Sequence, residues 1–490
     1  IMLAHVRVAR AAVPRVRYLS TVQPPVPFAW KKLHGQMPVI VPVTDSFFPG
    51  VPCSSEGEPI TSVPATKVST LSNGVRVATL DSPGLASSVG IFLDSGSRFE
   101  TAETQGVAHF LKNAAFRATT NRSHFRAVRE LESAGAIVSC ISTRDNILYL
   151  GDCLRDHIPI AFRVMADTVL NPRLADADIE EVRQAVAADA EFQQEDAQLL
   201  LSDAVHSAAY GFDGLGRATL CSSSSAETLQ ASHISSFLNN TASGANIVVA
   251  GYAVAHETLV ELAEEAFGGL AAGTKNAPAA KYMGGDVRVQ GVRGDPFTHV
   301  AIGFEGVSWN SEDLLTASVL HMLLGGGDSF SAGGPGKGML SRLFVNVLSH
   351  YHWVNSAVAF SHSYNDTGVF GVQGSAFPEQ AGQLVSVLAN ELKSVAATAP
   401  AADEVARAKK QLRSAMLMNL EARQTIVDDI GRQILTYGKH LPASEFVARA
   451  EQVTPQGVQQ LVQKMLQSQV SFAAAGPCGI TYNDVCAQFK

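Results

Sequence analysis

The chain has 490 residues, of which 46% are apolar and 17% charged, so it can fold into two or more domains with substantial cores. No apolar run approaches the roughly 18 residues of a membrane span, and we expect membrane association only through partners. Six of the 37 basic residues and none of the 45 acidic residues lie in positions 1–44, which leaves a net charge of −14 for the rest. An acidic body of this kind argues against nucleic acid as a partner.

The amino-terminal segment differs from the rest in composition. Residues 1–20 contain arginine, alanine and valine without acidic residues, which is typical of a mitochondrial targeting segment, although a basic tail is the alternative. Residues 21–64 are rich in Pro, Ser and Gly and predict an extended arm that packs on neighbouring subunits.

Residues 65–270 predict a first domain in which strands, helices and a closing strand follow one another. Asn73-Gly74 lies between two alternating runs and predicts a hairpin over 68–80. Ser123 is expected to cap a helix that ends at Gly135. The other predicted elements are strands near 89–93, 147–151 and 247–251 and helices near 105–116, 123–134, 156–170 and 176–210.

The pattern then repeats, which predicts an internal duplication. After a linker at 271–287, residues 288–490 predict a second domain whose segments match those of the first. The matching pairs are 88–92 with 299–303, 177–183 with 402–407, and 247–251 with 472–476. The fold class is therefore α+β, with two homologous α/β-roll domains, each a mixed, largely antiparallel sheet covered by helices on one face.

A glycine-rich loop at 325–338 lies between two predicted helices of the second domain, where the second copy is longer than the first. Six of the twelve residues from Gly325 to Gly336 are glycine, which indicates a flexible, strand-free segment that lets a ligand approach the backbone. A phosphate-binding loop is disfavoured because Gly338 follows Lys337 where that motif needs Ser or Thr. A disordered surface insert is the other alternative.

A second motif lies in the helix after the first long strand. His109-Phe110-Leu111-Lys112-Asn113 has the spacing of the inverted zinc-peptidase motif, in which two His bind zinc and the Glu between them activates water. Here Lys112 replaces the Glu and Asn113 the second His. His321, His350, His352 and His362 flank the glycine-rich loop without such spacing, and we expect solvent or core roles for them.

Four further segments complete a resemblance to a known family. Together with the glycine-rich loop, they resemble the pitrilysin-type metallopeptidases that include mitochondrial processing peptidase and the core proteins of complex III. The loop itself looks like the signature of the alpha subunit of that peptidase. The four segments are 94–100, 106–111, 121–123 and 131–136.

The resemblance implies a third zinc ligand, a Glu, on the long helix near 187–191, where Asp189 stands in this chain. With His109, Lys112, Asn113 and Asp189 in these positions, we expect no metal, no cofactor and no hydrolysis by the chain alone. The resemblance also implies a catalytic beta-type partner and a loop that handles mitochondrial presequences. The substrate-binding candidates are Gly325, Gly326, Gly327, Ser329, Phe330, Gly333, Gly334, Gly336, Lys337 and Gly338.

Two functions follow from the resemblance. The first is a non-catalytic core subunit of mitochondrial complex III on the matrix side of the inner membrane, with other complex III subunits as partners. The alternative is the alpha subunit of a soluble processing peptidase. No haem, quinone or iron–sulfur ligand set is apparent, so electron transfer is expected to belong to other subunits. An independently active zinc protease is disfavoured by Lys112 and Asn113.

Overall fold

The computed structural model describes residues 65–274, 277–329 and 338–489. The predictions for 1–20 and 21–64 therefore lie outside the described residues. The strands are β1 (Lys67–Thr70), β2 (Arg76–Leu80), β3 (Ala86–Leu93), β4 (Ile137–Ser142), β5 (Ile147–Leu154), β6 (Ile247–Tyr252), β7 (Gly285–Val289), β8 (Thr298–Glu305), β9 (Gly326–Asp328), β10 (Val354–Ser363), β11 (Gly368–Ala376) and β12 (Ser471–Ala475). The helices of the first half are α1 (Val107–Ala114), α2 (His124–Ser133), α3 (Ile158–Leu170), α4 (Asp176–Glu195), α5 (Ala197–Tyr210), α6 (Ser223–Thr228), α7 (Ala231–Thr241) and α8 (His256–Phe267). Those of the second half are α9 (Leu314–Leu324), α10 (Ala381–Ala397), α11 (Ala402–Asn419), α12 (Arg423–Tyr437), α13 (Ala443–Glu451), α14 (Pro455–Met465) and α15 (Tyr482–Ala487).

The described strands form two sheets that share a five-strand order, β2-β6-β3-β5-β4 in the first and β7-β12-β8-β11-β10 in the second, with β1 and β9 added at opposite ends. The first sheet runs β1-β2-β6-β3-β5-β4 and the second runs β7-β12-β8-β11-β10-β9. In each sheet one neighbouring pair is parallel, β2 with β6 and β7 with β12, and the other pairs are antiparallel. The hairpin predicted at Asn73-Gly74 joins β1 to β2. The α+β class with two mixed sheets is confirmed. The five-strand order common to both sheets agrees with the predicted duplication.

Helices cover both faces of each sheet, which corrects the expectation of one covered face. The second face is covered by a helix from the other half of the chain. Ile430 of α12 packs against Phe92 and Leu148 of the first sheet. Leu201 of α5 packs against Ala301 and Ala473 of the second sheet. Each half therefore completes its core with a helix from the other.

The helix predicted over 176–210 is two helices, α4 and α5. Asp196 separates them because its side-chain Oδ1 accepts hydrogen bonds from the backbone N–H groups of Gln198 and Leu199, at 2.8 and 3.2 Å. An aspartate that caps the next helix ends the previous one, since its own backbone is extended. The corresponding break in the second half separates α11 from α12. These breaks let the second helix of each pair cross to the other sheet.

The glycine-rich segment begins with a strand, which corrects the expectation of a strand-free segment. Gly326, Gly327 and Asp328 form β9, which pairs antiparallel with Ser356–Val358 at the edge of β10. The helix expected from position 340 is a π-helix, Leu343–Leu348. The last residues of the segment predicted as a linker belong to β7, because Gly285 onward pairs with β12. In the described ranges, no helix is both long and apolar enough to cross a bilayer.

Candidate functional site

Helix α1 carries the degenerate zinc motif and begins at a sharply turned glycine. Gly106 has a φ of 87°, and a Cβ at this position would lie 2.3 Å from the Sγ of Cys221. The first N–H groups of the helix are bound by Glu100, whose carboxylate accepts from the N–H groups of Gly106 at 2.7 Å and Ala108 at 2.9 Å. A buried carboxylate at the positive end of a helix fixes the start of α1. It thereby fixes the position of His109, one turn further on.

The structure brings together all four degenerate residues. A single oxygen of Asp189, Oδ2, lies 3.0 Å from His109 Nε2, 2.9 Å from Lys112 Nζ and 3.1 Å from Asn113 Nδ2. Helix α1 supplies the three partners at one-turn spacing, and α4 supplies the carboxylate. His109 is 1% exposed, whereas the side chains of Lys112 and Asp189 are about one-third exposed. The structure therefore brings Asp189 of α4 into contact with the three motif residues of α1.

Both ring nitrogens of His109 are occupied. The backbone N–H of Cys221 donates to Nδ1 at 3.3 Å, so Nδ1 carries the lone pair and Nε2 carries the proton that it donates to Asp189. Burial, reinforced by the positive charge of Lys112, lowers the pKa of His109, which keeps the imidazole neutral. A zinc ligand needs a free lone pair, and in this tautomer neither nitrogen of His109 presents one to the cluster, so a metal there would have to displace the Nε2 proton.

Asp189 is held as an anion by its neighbours. Partial burial raises the pKa of Asp189, but hydrogen bonds from Lys112 and Asn113 and the charge of Lys112 outweigh this effect and lower the pKa overall. The carboxylate of Asp189 and the ammonium group of Lys112 neutralise each other within the cluster. Among residues 65–274, 277–329 and 338–489, no group of three His, Cys, Asp or Glu side chains could hold a metal ion.

Glu100 and Cys221, which support this cluster, were not anticipated from the sequence. Burial raises the pKa of the Cys221 thiol to about 12, so the thiol is a packing group beneath Gly106 and not a nucleophile. Glu100 precedes the helix by six residues, outside the spacing of a local capping box, and thus gave no recognisable signal. Both contacts depend on chain segments that approach only in the folded protein.

Glu100 should make the stability of the protein depend on pH. Burial raises the pKa of Glu100 from 4.5 to about 7, despite the stabilising N–H groups of Gly106 and Ala108 and the charge of Arg217. Between pH 4.5 and 7 the folded state therefore binds more protons than the unfolded state at this residue. Its contribution to stability is fully present below pH 4.5 and is lost as the pH rises towards 7, by about 3 kcal/mol at most.

The measurement is urea unfolding at several pH values between 4.5 and 7.5. Glu100→Gln should flatten the pH dependence across this window, because the amide does not titrate. Glu227→Gln is the control, since Glu227 is exposed. An unchanged pH dependence in Glu100→Gln would show that Glu100 titrates alike in both states.

The described residues at the two ends of the glycine-rich segment, 325–329 and 338–340, are here called its stems. Both stems are bonded to Ser341. The hydroxyl of Ser341 accepts from the N–H of Gly326 at 3.0 Å, and the Ser341 N–H donates to the carbonyl of Gly338 at 2.8 Å. Gly326 has a φ of 108°, and a Cβ there would lie 2.0 Å from the carbonyl oxygen of Ala357. Only glycine fits at Gly326, whereas a Cβ at Gly327 would meet nothing within 4 Å.

Half of the predicted substrate-binding residues belong to these stems. Gly325, Gly326 and Gly327 precede Ser329, whose N–H donates to the carbonyl of Asn355 at 2.8 Å, and Gly338 begins the second stem. Phe330, Gly333, Gly334, Gly336 and Lys337 lie outside the described residues. The stems contact β10 and Ser341, and the degenerate cluster contacts α4 and Cys221. The two predicted sites thus belong to different halves of the chain.

Two family models match successive parts of the chain. Residues 76–223 match the model described as insulinase (peptidase family M16), and residues 228–412 match the model described as the peptidase M16 inactive domain. The chain belongs to peptidase family M16. The resemblance drawn from its sequence is thereby confirmed, and the degenerate cluster lies within the part of the chain that the first model matches.

Relatives of this M16 chain include named subunits of known complexes. The mitochondrial-processing peptidase subunit alpha of Solanum tuberosum is 38% identical over 416 residues, covering 84% of this chain and 82% of that protein. The subunit of the same name from Bos taurus is 36% identical over 466 residues, covering 88% and 87%. A chain in the solved structure of complex III2 from Candida albicans with Inz-5 bound has a TM-score of 0.74 at 22% identity, over 86% of this chain and 99% of that chain. The structural match shows a shared fold.

Proposed function

We propose that this M16 chain is a non-catalytic, alpha-type subunit that binds presequence peptides beside a catalytic, zinc-bearing beta-type subunit in mitochondria. The ion pair between Lys112 and Asp189 carries the proposal. Catalysis would need a metal and a base at this point, and the chain has an ammonium group and a carboxylate that is already paired with it. The sequence relatives named as alpha subunits of the processing peptidase support it. So does the match of residues 228–412 to an inactive domain.

The glycine-rich segment is the proposed peptide-binding element. Its described stems are held to β10 by backbone hydrogen bonds and to Ser341 by the bond from the Gly326 N–H to the Ser341 hydroxyl. Residues without side chains let a substrate approach the backbone closely. The acidic body of the chain favours the approach of basic presequences, an attraction that weakens with salt.

A second candidate function is a matrix-side core subunit of complex III at the inner membrane, held there by other subunits. The observation in its favour is the fold match to nearly the whole length of a chain from a complex III structure. The same degenerate site suits this function, because a core subunit needs no metal of its own. The two functions differ in the activity that co-purifies with the chain, which is presequence cleavage for the first and quinol oxidation for the second.

The deciding experiment isolates the native particle from mitochondria in mild detergent and assays the same fractions for presequence cleavage and quinol oxidation. The first function predicts zinc-dependent cleavage that follows the chain, also in fractions without cytochromes. The second predicts that the chain follows quinol oxidation and that cleavage is absent. A chain that cleaves presequences after its partner has been removed would contradict both functions.

Gly326→Ala tests the role of the stem. The new Cβ would overlap the Ala357 carbonyl and impose a strained φ, a cost of about 1–3 kcal/mol or more that should detach β9 from β10. We expect the KM for a presequence peptide to rise several-fold in the assembly with the beta-type partner, and hydrogen exchange at the Ala359 N–H to accelerate. That N–H donates to the Gly325 carbonyl at 2.9 Å.

The matched control is Gly269→Ala, where a Cβ meets nothing within 4 Å. This variant should keep the wild-type KM and exchange rates. If Gly326→Ala accelerates exchange at Ala359 but leaves KM unchanged, the stem does not position substrate.

A further inference from the structure

A cavity of about 510 Å³ lies between the two halves of the chain. Thr143 and Arg144 line it from the first half, and His321, His362 and Tyr364 line it from the second. It adjoins an apolar chamber of about 250 Å³, and four residues line both spaces. The four shared residues are Trp309, Leu314, Ser318 and Leu412.

The larger space, here called the polar chamber, is lined by side chains that can form hydrogen bonds. Its described lining contains Arg144 and two histidines and no carboxylate. The Arg144 guanidinium donates to Asp203, which is not part of the lining, and His321 Nε2 bonds to the carbonyl of Ala359 at 3.1 Å. The ring nitrogens of His362 have no hydrogen-bond partner among the described contacts. Ser361 and Ser363, the neighbours of His362 on β10, also line this space.

The smaller space, the apolar chamber, is lined by Trp309, Leu412, Met416 and Phe446. Its polar residues are turned to other partners. Asp429 bonds to His440 and Gln433, Arg432 pairs with Asp428, and the Tyr437 hydroxyl donates to the Trp309 carbonyl. Two hydrogen bonds hold the backbone of Trp309 at the junction of the two chambers: its carbonyl accepts from the Tyr437 hydroxyl, and its N–H donates to the Tyr364 carbonyl. An apolar group that enters this chamber leaves water without displacing a protein hydrogen bond.

We propose that the two chambers together bind a single-chain amphiphile with a carboxylate head, that is, a fatty acid. The acyl chain occupies the apolar chamber, where each buried methylene contributes about 0.8 kcal/mol. The carboxylate accepts a hydrogen bond from His362, and no acidic side chain in the described lining of the polar chamber repels it.

This site is distinct from the proposed peptide-binding function. The described lining of the polar chamber offers no carboxylate to a basic presequence, and Arg144 is its one cationic group, because burial lowers the pKa of both histidines and keeps them neutral. The ligand is therefore expected to bind whether or not the chain assists presequence cleavage. The first stem of the glycine-rich segment, 325–329, follows directly on α9. This helix carries His321 and Met322 of the polar chamber.

The test measures binding of dodecanoate to the full chain in complex with its partner, by calorimetry and by tryptophan fluorescence. Dodecyltrimethylammonium, with the same chain and the opposite charge, is the paired probe. We expect saturable binding of dodecanoate with a change in Trp309 emission, and binding of the cation at least about tenfold weaker. Trp309→Ala should remove the fluorescence change.

His362→Glu places a carboxylate in the polar chamber and should weaken dodecanoate binding by at least about tenfold. His350→Glu, at an exposed position, is the matched control and should bind dodecanoate as the wild type does. Equal binding of both amphiphiles, or binding that His362→Glu leaves unchanged, would overturn the proposal. Tighter binding of a dodecanoyl lysophospholipid, or displacement of dodecanoate by an apolar peptide with a free C-terminal carboxylate, would assign the chambers to that ligand instead. If the native particle binds dodecanoate but does not cleave presequences, only the peptide-binding function is rejected.

Discussion

Gly431→Ala is expected to destabilise the protein by about 3 kcal/mol or more, although alanine is the better helix former. Gly431 lies within α12 at the point where this helix crosses the first sheet, and a Cβ there would lie 2.1 Å from the ring of Phe92. Phe92 is fully buried between β5, β6 and α12, so its ring cannot move aside. Overpacking of a filled core outweighs the roughly 1 kcal/mol that alanine gains in helix propensity.

Gly382→Ala in α10 provides the comparison, because a Cβ at that helical position meets nothing within 4 Å. This variant should be neutral or more stable by up to about 1 kcal/mol. Urea unfolding of both variants measures the difference. A Gly431→Ala protein as stable as Gly382→Ala would mean that α12 does not pack on the first sheet as described.

Polar contacts also join the two halves of the chain. Arg98 of the first half donates to Asp366 of the second half at 2.5 Å and to the carbonyl of Pro278. The Tyr364 hydroxyl lies 2.6 Å from Nε2 of His206, which belongs to α5. Since each sheet has one face covered by a helix from the other half, separating the halves would expose apolar surface on both. We therefore interpret the two halves as one cooperative folding unit.

The double variant Lys112→Glu, Asn113→His is expected to bind zinc, which the wild type is expected not to do. The substitutions remove the ammonium group from the cluster and supply a second imidazole one turn from His109, on the helix face that meets Asp189. Without Lys112, Asp189 is free to bind a cation. Isothermal titration with zinc and measurement of bound metal after dialysis will determine the affinity and the stoichiometry.

Asn113→His alone is the matched control, because it adds the ligand but keeps the Lys112 charge. We expect this single variant to bind zinc much more weakly than the double variant, since a cation in direct contact with Asp189 opposes a second one. Equal affinities would show that charge does not exclude the metal. No binding by the double variant would show that Glu100 and Cys221 hold α1 in a position unsuited to zinc.

The sequence by itself determined the local elements and the chemistry that the chain has lost. The Asn73-Gly74 hairpin, the Ser123-capped helix and the duplicated strand pattern follow from turn, cap and periodicity rules that act over a few residues. The replacements at Lys112 and Asn113 are visible without coordinates, because the spacing of the motif on a helix is fixed.

The tertiary structure decided how the two halves share their cores and how the site is supported. The sequence contains the apolar faces of α5 and α12 but does not indicate which sheet each covers, since any apolar face can pack on any other. The contacts of Glu100 with Gly106, and of Gly326 with Ser341 and Ala357, likewise join residues whose proximity depends on the completed fold. The strand β9 forms for the same reason: glycine has little intrinsic preference for strand, and only the uncovered edge of β10 provides the hydrogen bonds that order it.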